Sequence, residues 1–197
     1  YWADHNEHFG LRYWYNFSVD EYAKLALKLL TSDLCSSVHL RFGDTSHDAH
    51  GSLDGVSHYK DMIRVQEQIG RMLAYMQMLP GAEGGSLLDE TLVIICSEFN
   101  RNWPLSGFCD HWPVDSVCFA GGNVHGNRMI GGFDTENMPV SAPGLFGKKV
   151  HLFDESGNPM FRTLERHDIA YSALEMMGLP NTFLPGGPGR IVGLENA

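Results

Sequence analysis

Two polar stretches hold the residues whose types and spacing could do chemistry. The first, Asp44-Thr45-Ser46-His47-Asp48-Ala49-His50, packs two carboxylates and two imidazoles into seven positions. A divalent cation is held by this mixture of anionic oxygen and neutral nitrogen, and donors on one short loop lose less entropy on ordering than donors scattered along a chain. The competing reading is a solvated turn in which Asp44 bonds to the backbone that follows it. The second stretch, residues 98–113, carries Glu98, Arg101, Asp110 and His111. A carboxylate at the end of one strand and an Asp-His pair just before the next can complete a metal site begun by Asp44 and His47. The candidate ligands are therefore Asp44, His47, Glu98, Asp110 and His111. Arg101 suits an anionic group, which a guanidinium meets with two parallel hydrogen bonds. A structural alternative stands here too: Glu98 pairs with Arg101, and Asp110 merely orients His111.

These loops need strands and helices to hold them. Ser18-Val19-Asp20-Glu21 has capping-box spacing, and Tyr22, Leu25 and Leu29 repeat with helical period, which predicts a helix from about Val19 to Leu30. Residues 35–42 read as a strand, followed by the polar loop 43–55. Met62, Val65, Ile69, Met72, Leu73, Met76 and Leu79 trace one face of a long helix that Pro80-Gly81 ends. After a Gly84-Gly85 turn, residues 91–97 form an apolar, branched run that reads as a fully buried parallel strand, and residues 114–120 form a second such run. A Gly121-Gly122-Asn123 turn then predicts a hairpin toward Met129-Ile130, residues 148–153 a short strand, and Ile169, Ala173, Met176 and Met177 a helix closed by Gly178 and Pro180. The alternation is that of an α/β sheet covered on both faces, with ligands beyond the carboxyl ends of its strands. No internal repeat or domain boundary is visible, so residues 1–197 read as one domain, with 1–17 as an N-terminal extension.

Composition narrows the functional classes. The chain has 197 residues, 43% hydrophobic, enough for a core of its own. Its 14 Lys and Arg against 24 Asp and Glu give a net charge of -10, which opposes nucleic-acid binding along a phosphate backbone. The apolar run from Leu92 to Cys96 covers five residues, far short of a membrane span. Of the four cysteines, Cys35 and Cys96 read as inert core thiols, while Cys109 and Cys118 are left open as a disulfide pair or as two separate thiols. His5 and His8 fall at the chain start, His39 in a strand, His58 near a helix start, His125 in a turn and His151 in an edge-like strand, positions that solvent exposure or ordinary packing explains. Trp103 and Trp112 offer stacking platforms for carbohydrate, but a tryptophan beside a proline more often packs. Nucleophile-elbow, P-loop and Rossmann motifs are missing.

Several ordered motifs resemble a known family. Asp44-Thr45 with His47, then Leu88-Asp89-Glu90-Thr91-Leu92-Val93-Ile94-Ile95-Cys96-Ser97-Glu98-Phe99-Asn100-Arg101, then Asp110-His111-Trp112-Pro113 and Ala120-Gly121-Gly122 look like the bacterial domain-of-unknown-function family 1501. That family is sulfatase-like and is placed in the alkaline-phosphatase superfamily. The similarity runs from about Cys35 to Pro180. It implies a three-layer α/β/α sandwich with a mostly parallel sheet, and export to the periplasm or the outside of the cell. It also implies a divalent metal (Zn, Mn, Fe or Ca) acting on a small anionic ester or a sulfated glycan, with Arg101 and His111 as catalytic candidates. The chain departs from the family at three places. Phe99 stands where a second metal-binding imidazole is expected, Asn100 replaces the usual glycine, and Asp44-Thr45-Ser46-His47 is one residue longer than the family's Asp-Thr-His, which makes His50 a rival to His47. The nucleophile and its companion Asp would lie in a preceding N-terminal half, so this chain reads as the C-terminal part of a longer protein. The alternative is a catalytically degenerate exported domain with a structural or partner-binding role.

Overall fold

The computed structural model describes residues 19–32, 34–41, 56–97, 100–101, 111–112, 115–132, 148–180, 184 and 187–195. The chain divides into two compact units, Tyr1–Leu87 with Trp103–Asp110, and Leu88–Asn102 with His111–Ala197.

The first unit is built on two helices. Helix α1, Val19–Thr31, buries Ala23, Ala26 and Leu27, three- and four-residue spacings that put them on one face. Helix α2, Val56–Met78, buries Met72 and Met76, also four apart. Ala23 and Leu27 of α1 meet Gln68, Met72 and Tyr75 of α2 around a small shared groove. Both helices follow their sequence periodicity, and α2 stops just before Pro80 as expected. Beyond it the chain closes a tight loop: Gly81 N–H donates to the Gly85 carbonyl at 2.8 Å and Leu87 N–H to the Leu79 carbonyl at 2.8 Å. Gly84 sits at φ +104°, a left-handed conformation that glycine adopts without penalty. The strand expected over 35–42 does not form in its described part. Residues 38–41 alternate half-buried and exposed, but no ladder joins them among the described residues. Period-2 exposure describes an extended chain, whereas a strand also needs a neighbour to take its backbone hydrogen bonds.

The second unit holds the sheets. Strand β1, Val93–Cys96, pairs with β4, Val117–Ala120, while β2, Asn100–Arg101, pairs with β3, His111–Trp112. A three-stranded sheet places β5, Val150–Phe153, between β6, Pro159–Arg162, and β7, Arg190–Ile191. Helix α3, Arg166–Met176, lies between β6 and β7 in sequence.

The molecule is α/β, but every strand pairing among the described residues is antiparallel, which corrects the expectation of a mostly parallel sheet. The reason lies in the connections. Between Arg101 and His111 only residues 102–110 intervene, and no helical period runs through them. Antiparallel arms accept such a link, whereas a parallel pair needs a longer crossover, usually a helix. Strand β1 is accordingly half-buried: Val93 and Ile95 are partly covered, Ile94 and Cys96 exposed. Its apolar run had read as fully buried because a short apolar segment gives no periodicity to separate the two cases.

The core of this unit is Val150, Leu152, Ile191 and Leu194, with Phe119, Ile130, Met160, Leu164, Ile169 and Met176 packed around it. The hairpin expected after Gly121-Gly122 does not form. Val124 instead bridges to Glu195, and His125 N–H donates to the Leu194 carbonyl at 2.8 Å, so this segment is captured by the chain's last described residues. Gly121 (φ +71°) and Gly122 (φ +49°) make the sharp turn that allows it. His151 lies on the central strand, not an edge one, and is exposed with its ring 4.8 Å from that of Phe161. Helix α3 ends as the sequence requires: Gly178 at φ +64° donates to Glu175 O at 3.0 Å and Leu179 to Leu174 O at 2.9 Å, the paired bonds of a Schellman motif. Among the described residues no helix is long and apolar enough to cross a membrane.

Candidate functional site

Branched residues at Val93, Ile94 and Ile95 favour an extended chain, and β1 with β4 makes the base of a two-armed ribbon. The pairs run Val93 with Ala120, Ile94 with Phe119, Ile95 with Cys118 and Cys96 with Val117. Farther along the same arms, Asn100 pairs with Trp112 and Arg101 with His111. Cross-strand partners share one face of a ladder, so the arginine and histidine positions lie on one face and Asn100 and Trp112 on the other.

The two ladders are not in simple continuation. Between Cys96–Val117 and Asn100–Trp112 lie residues 97–99 on one arm and 113–116 on the other. The returning arm has one residue more. At this junction the Ser97 hydroxyl donates to Asp115 Oδ1 at 2.8 Å, and the same oxygen accepts the Ser116 N–H at 2.7 Å.

Arg101 and His111 are thus brought opposite one another along the backbone. Asp44, His47, His50, Glu98, Asp110 and Cys109 lie outside the described residues, as does the loop position Phe99. Among the described residues no group of three His, Cys, Asp or Glu is placed to hold a metal. The donor set named from sequence, carboxylates with imidazoles, has the hard-to-borderline chemistry that suits Zn, Mn, Fe or Ca, and Arg101 is no ligand but a complement to an anion. Cys35, Cys96 and Cys118 carry free thiols; Cys96 is exposed rather than the core thiol expected, because its position on β1 faces outward.

A second polar cluster went unread in the sequence. Asp168, in the first turn of α3, is fully buried. Its Oδ2 accepts Arg162 Nη1 at 2.7 Å and the Glu165 N–H at 2.8 Å; its Oδ1 accepts Arg162 Nη2 at 2.6 Å and the Gly189 N–H at 2.7 Å. One turn on, Ser172 Oγ accepts the Ile191 N–H at 3.0 Å. Two polar side chains on one face of α3 therefore satisfy backbone donors of β7 and of the segment leading into it, and also cap the helix start. His167 Nε2 lies 3.2 Å from Glu165 Oε2 and 3.8 Å from Asp168 Oδ1. The carboxylate is occupied on all sides by protein donors, so this cluster holds the fold together. Its sequence signal was the Glu165-x-x-Asp168 spacing, a capping pattern at the start of the last helix.

No protein-family model matches the chain, and neither a curated protein nor a solved structure is significantly similar to it.

Proposed function

We propose that this chain belongs to a sulfatase-like, metal-dependent hydrolase of sulfate or phosphate esters, exported to the periplasm or beyond, whose substrate is a small anionic ester or a sulfated glycan. The observation that supports it best is the pairing of Arg101 with His111 on one face of the ribbon, in a chain whose flanking residues include Glu98 and Asp110. An arginine and a histidine at facing positions suit the cleavage of an anionic ester. The guanidinium binds non-bridging oxygens with two parallel hydrogen bonds and counters the charge that grows on them in the transition state. The imidazole serves as a metal ligand or supplies a proton to the departing oxygen. Asp44, His47, Glu98, Asp110 and His111 would hold the divalent metal, which neutralises ester oxygens when bound. No residue of this chain is assigned as nucleophile.

A second reading keeps the architecture and drops the chemistry, leaving an exported domain with a structural or partner-binding role. Phe99, at the position where the family pattern has an imidazole, favours it. Assaying the natural full-length polypeptide on a panel of aryl sulfates and aryl phosphates, stripped of metal and then resupplied, separates the two. The hydrolase reading predicts metal-dependent turnover that Arg101→Ala lowers by about 100-fold or more, the usual effect of losing one transition-state donor. Zero turnover on every ester with every metal supports the structural role.

A further inference from the structure

Residues 187–195 are held in the second unit as a bound peptide is held. Three separate parts of the unit grip their backbone. Asp168 Oδ1 accepts the Gly189 N–H at 2.7 Å and Ser172 Oγ the Ile191 N–H at 3.0 Å, both from α3. The His151 carbonyl of β5 accepts the Val192 N–H at 3.2 Å, and the Leu194 carbonyl accepts the His125 N–H at 2.8 Å. Main-chain bonds of this kind give a docked strand its affinity, while side-chain positions give it specificity. Here three positions are read. Ile191 and Leu194 are buried against Val150 and Leu152. At 189 only glycine fits, because an added Cβ would lie 2.7 Å from Met160 Cε and 2.9 Å from Leu152 Cβ. Between these anchors Val192 is exposed, and Arg190 is half-buried and pairs with Glu195 of the same segment at 2.6 Å.

The walls of this groove have supports of their own. Asp168 is gripped by both terminal nitrogens of Arg162 and by the Glu165 N–H, and β5 is paired with β6 from Val150–Arg162 through Phe153–Pro159. We propose that α3, β5 and the 124–125 segment form a standing groove that binds residues 187–195 as it would a separate peptide, selecting glycine at 189, isoleucine at 191 and leucine at 194. The groove does not depend on the hydrolase reading.

Cutting the full chain at a specific-protease site inserted within residues 181–186 tests it. The segment should stay with the cut protein through gel filtration. After its release in mild urea and removal of the urea, a fluorescent synthetic peptide of residues 187–195 should bind. Ile191→Ala in that peptide should weaken binding about 30-fold or more, the scale of emptying a buried aliphatic site, and Gly189→Ala about tenfold or more. Arg190→Ala, which removes a half-exposed ion pair, should weaken it less than about fivefold. A segment that separates from a folded remainder and does not rebind overturns the proposal, as do Ile191→Ala and Gly189→Ala peptides that bind like the native one. Loss of the β5–β6 contacts on cutting also overturns it. If the inserted site prevents folding before the cut, hydrogen exchange in the natural chain decides. The Gly189 and Ile191 amides should exchange together and at least about tenfold faster than the amides joining β5 to β6, since a docked segment opens by itself. One common rate for both sets overturns the proposal.

Discussion

Arg162 grips both oxygens of the Asp168 carboxylate, Nη1 to Oδ2 at 2.7 Å and Nη2 to Oδ1 at 2.6 Å, although Asp168 is fully buried while Arg162 keeps 27% of its side chain in solvent. A buried carboxylate is tolerated only where donors replace its lost hydration, and here two backbone N–H groups complete the set. The pair ties β6 to the start of α3, and the Gly189 N–H draws the approach to β7 onto the same point.

Replacing Asp168 should therefore be among the most damaging changes in this unit. Asp168→Ala leaves a guanidinium and the Glu165 and Gly189 N–H groups without their acceptor, which should cost about 3–5 kcal/mol. Urea unfolding followed by circular dichroism measures it; a loss below about 1 kcal/mol would show that solvent replaces the carboxylate easily. Hydrogen bonds to Asp168 raise the pKa of the Arg162 guanidinium above its ordinary value. A raised value means the arginine's contribution is fully present below its unfolded-state pKa and is lost only as pH rises through the still higher folded-state value, so base should not weaken this contact anywhere in the ordinary working range.

Acid should act at the β5–β6 turn instead. The Asp154 carboxylate is held below its ordinary 3.8, first by the Asn158 side-chain amide and then by backbone N–H donors of Asn158 and Ser156. Oδ2 accepts Asn158 Nδ2 at 2.9 Å, and Oδ1 accepts the Asn158 N–H at 2.7 Å and the Ser156 N–H at 2.9 Å. A lowered value makes the stabilisation complete above pH 3.8 and removes it as pH falls through the folded-state value. Following the Asn158 amide by NMR during acid titration should give a midpoint below 3.8, and Asp154→Ala should abolish that transition; a midpoint at or above 3.8 would contradict the turn's role.

Gly121 should not accept a side chain. At φ +71° it already occupies a region costly to other residues, and an added Cβ would press on the Thr91 carbonyl and lie 2.6 Å from the Leu88 carbonyl oxygen. Gly121→Ala should destabilise the second unit by about 2 kcal/mol or more, combining the conformational cost with a backbone clash that no rotamer relieves. Thermal unfolding checks it, with Gly126→Ala, which meets nothing within 4 Å, as the control.

The helices were legible because their apolar spacing is a local signal: α1, α2 and α3 fall where the period places them, and α3 ends at the Gly178 stop. Strand locations for β1, β4 and β5 were legible for the same reason. Pairing direction was not. The run Val93–Cys96 reads identically whether its neighbour is parallel or antiparallel, and the choice is made by the length of the link to the next arm. β6 and β7 were missed because Pro159-Met160-Phe161-Arg162 and Arg190-Ile191 are too short or too mixed to carry a period; they exist through pairing with β5 and anchoring on Asp168 and Ser172. Of the candidate site, the sequence singled out Arg101 and His111, but not their pairing, because strand register is not a local pattern in the sequence.

The proposed hydrolase chemistry depends on a bound divalent metal, and metal content tests it most directly. Elemental analysis of the purified, dialysed protein should find a divalent metal in fixed proportion to the chain, removed by chelator and regained on addition of Zn, Mn, Fe or Ca. Asp44→Ala and His111→Ala should each lower that content while leaving the β5–β6 sheet intact. A folded protein that carries no divalent metal, takes up none, and is indifferent to both substitutions would contradict the account.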